Sequence, residues 1–173
     1  MNTVHRHLLL ASALAIACAG CATGAAAQVA VPGVIDIATL ERADRRPLSN
    51  NELLNSGGWV LELATGPDGQ RLEALFPEGE PYTLTFDEQG ISARGSCNTL
   101  RGRYSAGSQR LEVELAISTR MACTDDRNRG DAALAGLLKG RMKADLRETM
   151  PLRLRVTTQD GSVLVFRDLP MTF

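Results

Sequence analysis

The chain has 173 residues, with 19 basic and 20 acidic side chains and a formal charge of −1 at pH 7. Lys and Arg are scattered among Asp and Glu, so no basic field exists to hold nucleic acid, and nucleic-acid binding is set aside. The two histidines, His5 and His7, both stand near the start, which leaves the rest of the chain without the imidazole of Ser-His-Asp, Cys-His or mixed-ligand zinc sites.

A weakly basic stretch (His5, Arg6, His7) runs into apolar and small residues from Leu8 to Ala17. This is the layout of a secretory signal, with an apolar core too short to span a bilayer. Cys18-Ala19-Gly20-Cys21 resembles a bacterial lipobox, although Cys18 stands where such motifs usually carry an aliphatic residue. The expected signal is therefore 1–21, with the lipid on Cys21. Ala25-Ala26-Ala27 offers an alternative cut before Gln28. Because Ala22 is not the Asp that retains many lipoproteins in the inner membrane, the resemblance implies an outer-membrane lipoprotein facing the periplasm; the alternative is a soluble periplasmic protein. Cys18 and Cys21 also have the spacing of a thioredoxin-like pair, but they sit in the cleavage region with no βαβ context.

Residues 22–56 mix single apolar residues with Pro32, Pro47, an Arg/Asp/Glu run and Asn50-Asn51, and read as a tether with at most one short helical turn. From 57 to 170 the chain reads as one domain. Trp59, Leu61 and Leu63 alternate with Val60 and Glu62; Tyr82, Leu84 and Phe86 alternate with Thr83 and Thr85; Leu111, Val113, Leu115 and Ile117 alternate with Glu112, Glu114 and Ala116. Each is expected as a half-buried strand. Asp87-Glu88-Gln89-Gly90 suggests a hairpin closed by Gly90. After Asp131, expected as an N-cap, Ala133, Leu134, Leu137, Leu138 and Met142 fall at helical spacing, with Lys139 and Arg141 toward the end. Leu152, Leu154 and Val156 then alternate again, and a run from Val163 to Phe166 reads as a strand buried on both faces. Strands, one helix and a hairpin predict an α+β fold, a small curved antiparallel β-sheet or partly open barrel covered by one α-helix.

Two stretches carry more information. Gly95-Ser96-Cys97-Asn98-Thr99-Leu100-Arg101-Gly102-Arg103-Tyr104 and Ser118-Thr119-Arg120-Met121-Ala122-Cys123 resemble the G-x-C-N-x-x-x-G-x-Y and T-x-M-x-C signatures of the META/HslJ family, in the same order. The motif positions are Gly95, Cys97, Asn98, Gly102, Tyr104, Thr119, Met121 and Cys123. The family includes a heat-shock-associated bacterial protein linked to novobiocin tolerance, and the resemblance implies a small β-rich fold without an assigned enzymatic activity. Taken as residues, Gly95 and Gly102 suit a bend or close backbone approach, Asn98 a turn, and Tyr104 a sheet edge or cavity mouth. The simplest role for this corner is to shape the fold; a ligand site is the alternative.

Cys97 and Cys123 are the only cysteines beyond the signal region. In an oxidising compartment an even pair is most simply a disulfide, worth roughly 3 kcal/mol in the chain-entropy model. Two buried thiols, or a metal or reactive-thiol role, are the other readings. Asp125-Asp126-Arg127-Asn128-Arg129-Gly130-Asp131 lacks the pattern of a calcium loop and reads as a solvated approach to the helix. Its Arg129-Gly130-Asp131 tripeptide is too short to indicate adhesion. Glu112 and Glu114 lie too close on one strand face to serve as a glycosidase pair. Arg94, Arg101, Arg103 and Arg120 could converge on carboxylates or lipid phosphates, or could simply form a solvated face. No catalytic residue, metal or cofactor is expected. The functional expectation is a non-enzymatic, lipid-anchored envelope protein that supports stress or antibiotic tolerance by contact with an envelope component. A hydrophobic-ligand carrier and an inhibitor of a periplasmic enzyme are the alternatives.

Overall fold

The computed structural model describes residues 35–117 and 119–170, so the expected signal, Cys21 and the Ala25–Ala27 cut lie outside the described residues. The strands are β1 (Arg45–Pro47), β2 (Gly58–Thr65), β3 (Thr83–Asp87), β4 (Gly90–Arg94), β5 (Leu100–Gly107), β6 (Arg110–Ile117), β7 (Gly140–Arg147), β8 (Arg153–Thr157) and β9 (Val163–Leu169). The α-helices are α1 (Ile37–Arg42), α2 (Asn50–Leu54) and α3 (Asp125–Leu137), and a 3-10 turn spans Glu73–Leu75.

From β2 to β9 each strand pairs antiparallel with its sequence neighbour, and β9 returns to pair with β2. The result is a closed eight-stranded barrel, with β1 added on β7 beyond the stretch that β6 occupies. This corrects the expected partly open sheet or barrel under one helix. Alternation shows which face of a strand is apolar, whereas closure depends on which edges meet. Here the last hairpin bridges β7 and β2, leaving neither edge open.

Leu84, Phe86, Leu111, Val113, Leu115, Leu154 and Val156 all point into one core, as their alternation predicts, and Leu164 and Phe166 of the unbroken apolar run join them. A register shift between Leu61 and Leu63 breaks the pattern in β2. The bulge turns Leu63 outward and puts Ala64 into the core. Val165 is fully buried although its neighbours Leu164 and Phe166 are the residues in the interior cluster. The barrel ends are also filled. Leu53 of α2 joins the core near β3 and β5, and Leu75, Leu134 and Leu138 join it beneath α3 and the 3-10 turn.

Two elements differ from their expected bounds. The helix begins after Thr124, so the stretch expected as a solvated approach is helix, and Asp131 lies buried within it instead of at its cap. Met142 belongs to β7, inward-facing with Ala144 and Leu146. Gly140, at φ +87°, separates helix from strand. The second difference concerns residues 37–54 of the expected tether, which carry α1, β1 and α2, with Leu40, Leu48 and Leu53 buried. Asp36 caps α1 by accepting from Thr39 N–H at 2.8 Å, and the Thr39 hydroxyl, donating to it at 2.7 Å, together with that N–H holds its carboxyl below the ordinary aspartate range; Ser49 caps α2 by accepting from Glu52 N–H.

Candidate functional site

At the barrel end beneath α3, the chain from β4 to β5 must turn without a ladder partner for its backbone. Asn98 supplies the turn's contacts. Its backbone N–H and side-chain Nδ2 both donate to Asp131 Oδ2, at 2.8 and 3.0 Å. Its Oδ1 accepts from Met121 N–H at 2.9 Å and from Thr119 Oγ1 at 3.2 Å, and Thr119 Oγ1 in turn accepts from Thr99 N–H at 2.9 Å. Tyr82 completes the group, its hydroxyl donating to Asp131 Oδ1 at 2.9 Å. Burial pushes the Tyr82 hydroxyl well above the ordinary phenol range, and Asp131 adds to the effect. Asp131 is fully buried with no basic partner among the described residues, so these three donors are what satisfies it.

The flanking motif residues fix the same corner. Gly95 has φ +136°, and a Cβ there would lie 2.3 Å from Pro81 O; at Gly102 a Cβ would lie 1.7 Å from Glu114 O. Both positions need the missing side chain to let two backbones meet. Cys97 and Cys123 form a disulfide with Cα atoms 6.0 Å apart, tying the β4–β5 turn to the segment that leads into α3. Met121 contributes its backbone, while its side chain is 61% exposed. Gly95, Cys97, Asn98, Thr119, Met121 and Cys123 thus come together. Tyr104 does not join them. It stacks edge-on against Phe86, 4.9 Å between centroids, and lines a groove between α2 and the β3–β4 hairpin. Partial burial, then Asp87, raises its hydroxyl above the ordinary range.

The two residues that complete the corner, Tyr82 and Asp131, were expected only as a strand residue and a helix cap. The arginines separate. Arg103 pairs with Glu114 at 3.2 Å, and Glu112 with Arg141 at 3.6 Å, which places both glutamates on a paired outer strand surface. Arg94 and Arg101 line a groove of about 320 Å³ on the outer wall of β3, β4 and β5, and Arg120 does not line it. Among the described residues no three His, Cys, Asp or Glu side chains are grouped to hold a metal ion.

A comparison with curated proteins finds no match. A solved structure described as the NMR structure of the protein from Burkholderia xenovorans is similar over 71% of this chain and 90% of its own, at TM-score 0.57 and 24% identity. At that identity the likeness supports the fold alone. The family model for the META domain matches residues 52–170, a span that contains both motifs and the Asn98–Asp131 contact between them, and the chain belongs to the META domain family.

Proposed function

We propose that this protein is a non-enzymatic component of the cell envelope, anchored through Cys21 to the outer membrane, that supports stress or antibiotic tolerance by binding an envelope component. The observation that carries the reading is the use made of the motif. Asn98 and Asp131 spend their polar atoms on each other, on Tyr82 and on the 119–121 segment, so the family residues hold a rigid corner and offer no free acid–base pair. Recognition then falls to the outer wall, where open grooves lie. The hydrophobic-carrier alternative gains no comparable support, because aromatic and branched side chains occupy the barrel interior.

The test is a gene deletion challenged with heat and with novobiocin, complemented by the wild-type protein or by Cys21→Ser. Reduced survival, restored only by the wild type, supports both the role and the anchor. Survival equal to that of the parent strain overturns the role. Metabolic labelling with a fatty acid decides separately between the lipid anchor and the soluble form cut before Gln28.

A further inference from the structure

We infer that the outer-wall groove of β3–β5 is a binding site for a phosphate group, clamped by Arg94 and Arg101. The strand register builds it. Ser92 on β4 lies opposite Arg101 on β5, and Thr85 on β3 lies opposite Ser92. Arg94, two residues beyond Ser92, is therefore the diagonal neighbour of Arg101 on the same outward face, where long side chains reach each other. The groove that these residues line holds about 320 Å³.

The charge arrangement singles this place out. Most arginines of the barrel wall are matched: Arg103 with Glu114, Arg141 with Glu112, Arg153 with Glu62, Arg155 with Glu41. Arg94 and Arg101, like Arg110 and Arg167, have no carboxylate partner among the described residues, and of these four only Arg94 and Arg101 share the groove. Two adjacent guanidinium groups repel unless an anion lies between them, and a guanidinium fork matches phosphate oxygens in pairs. The Thr85 and Ser92 hydroxyls add neutral donors on the same outward face. Asp87 stands at one end of the groove, but its Oδ1 accepts from Gln89 N–H and Gly90 N–H at 2.8 Å each and so caps the hairpin.

This inference deepens the proposed binding of an envelope component by naming its chemistry, and rests on that reading only for its biological setting. The phosphate could be free or part of a lipid headgroup. Purified protein is titrated with inorganic phosphate at constant ionic strength, following the Nε–H signals of Arg94 and Arg101 and the amides of Thr85 and Ser92 by NMR. In a second arm, the Cys21→Ser protein, which lacks the expected lipid, is floated with vesicles of phosphatidylglycerol or of phosphatidylcholine. The expected result is saturable shifts at the groove, or retention on phosphatidylglycerol alone. Either should weaken roughly tenfold in the double variant R94Q/R101Q and persist in R110Q, which removes a charge elsewhere. Phosphate shifts identify a free phosphate site; retention without them identifies a lipid headgroup. An absence of both, or equal weakening in R110Q, overturns the inference. None of these results depends on a deletion phenotype, so the site and the physiological role fail separately.

Discussion

Asp131 Oδ2 accepts two hydrogen bonds from Asn98, at 2.8 Å from the backbone N–H and 3.0 Å from Nδ2, across 33 residues of sequence. One carboxylate oxygen thereby fixes both the turn and the side chain that holds it. Asp131→Ala leaves three donors buried without an acceptor, and should cost on the order of 3 kcal/mol or more in urea unfolding. Asp131→Asn keeps one acceptor oxygen and should cost less. Equal and small losses in both variants would show that the corner carries no stability.

Reduction of the Cys97–Cys123 bond acts on the same corner through the unfolded chain. The bond closes a separation of 26 residues, which in the chain-entropy model stabilises the fold by about 3.5 kcal/mol. Unfolding with and without a reductant should differ by nearly that amount in the wild type and by nothing in Cys97→Ser/Cys123→Ser. A reductant effect that survives in the double variant would mean that it acts elsewhere.

The chain has two tyrosines, and Tyr82 is the more strongly raised, by burial first, with Asp131 adding to the rise and Ser96 opposing it. An ordinary phenol ionises near pH 10. A group whose folded pKa is raised contributes stability that is complete below the unfolded value and lost as pH rises through the folded one. Stability should therefore begin to fall above about pH 10, and tyrosinate absorbance should rise with loss of near-ultraviolet ellipticity. Ionisation of both tyrosines near pH 10 with the native spectrum intact would contradict this. In Tyr82→Phe the alkaline decline should be shallower.

The alternation of Leu84 and Phe86, of Leu111, Val113 and Leu115, and of Leu154 and Val156 was legible because each residue's direction is set locally by the pleat. Closure of the barrel was not, since it depends on β9 meeting β2, strands that are distant in sequence. The helix was legible in kind but displaced. Asp131 has the chemistry of a cap, and only the distant donors of Asn98 and Tyr82 draw it into the helix interior. Residues 49–53 carried a signal that the Pro- and Asn-rich composition obscured. Ser49 and Glu52 have capping-box spacing, and Leu48 and Leu53, both buried, stand at the positions of a hydrophobic staple. The motif glycines and cysteines announced a tight corner, while the contacts that close it, Asn98 to Asp131 across 33 residues and Tyr82 to Asp131 across 49, became visible only in three dimensions.

Arg147 is completely buried, yet at the end of β7 it lies on the face opposite the inward Met142, Ala144 and Leu146. Its Nε donates to Asp145 at 2.6 Å, Nη1 to Leu40 O at 3.2 Å, and Nη2 to Glu41 at 3.4 Å. Glu41 also pairs with Arg155 at 3.0 Å. One guanidinium thus ties α1 to the barrel wall, and removing one member of a buried pair leaves its partner uncompensated, typically at about 3–5 kcal/mol. Much of that cost can be avoided locally if α1 detaches and lets water reach Asp145. Arg147→Met should therefore strip hydrogen-exchange protection from residues 37–47 while the amides of β5 and β6, which lie away from α1, keep theirs. Uniform loss of protection across the barrel would instead make Arg147 part of the global fold. Unchanged protection in 37–47 would mean that Leu40 burial alone holds α1 in place.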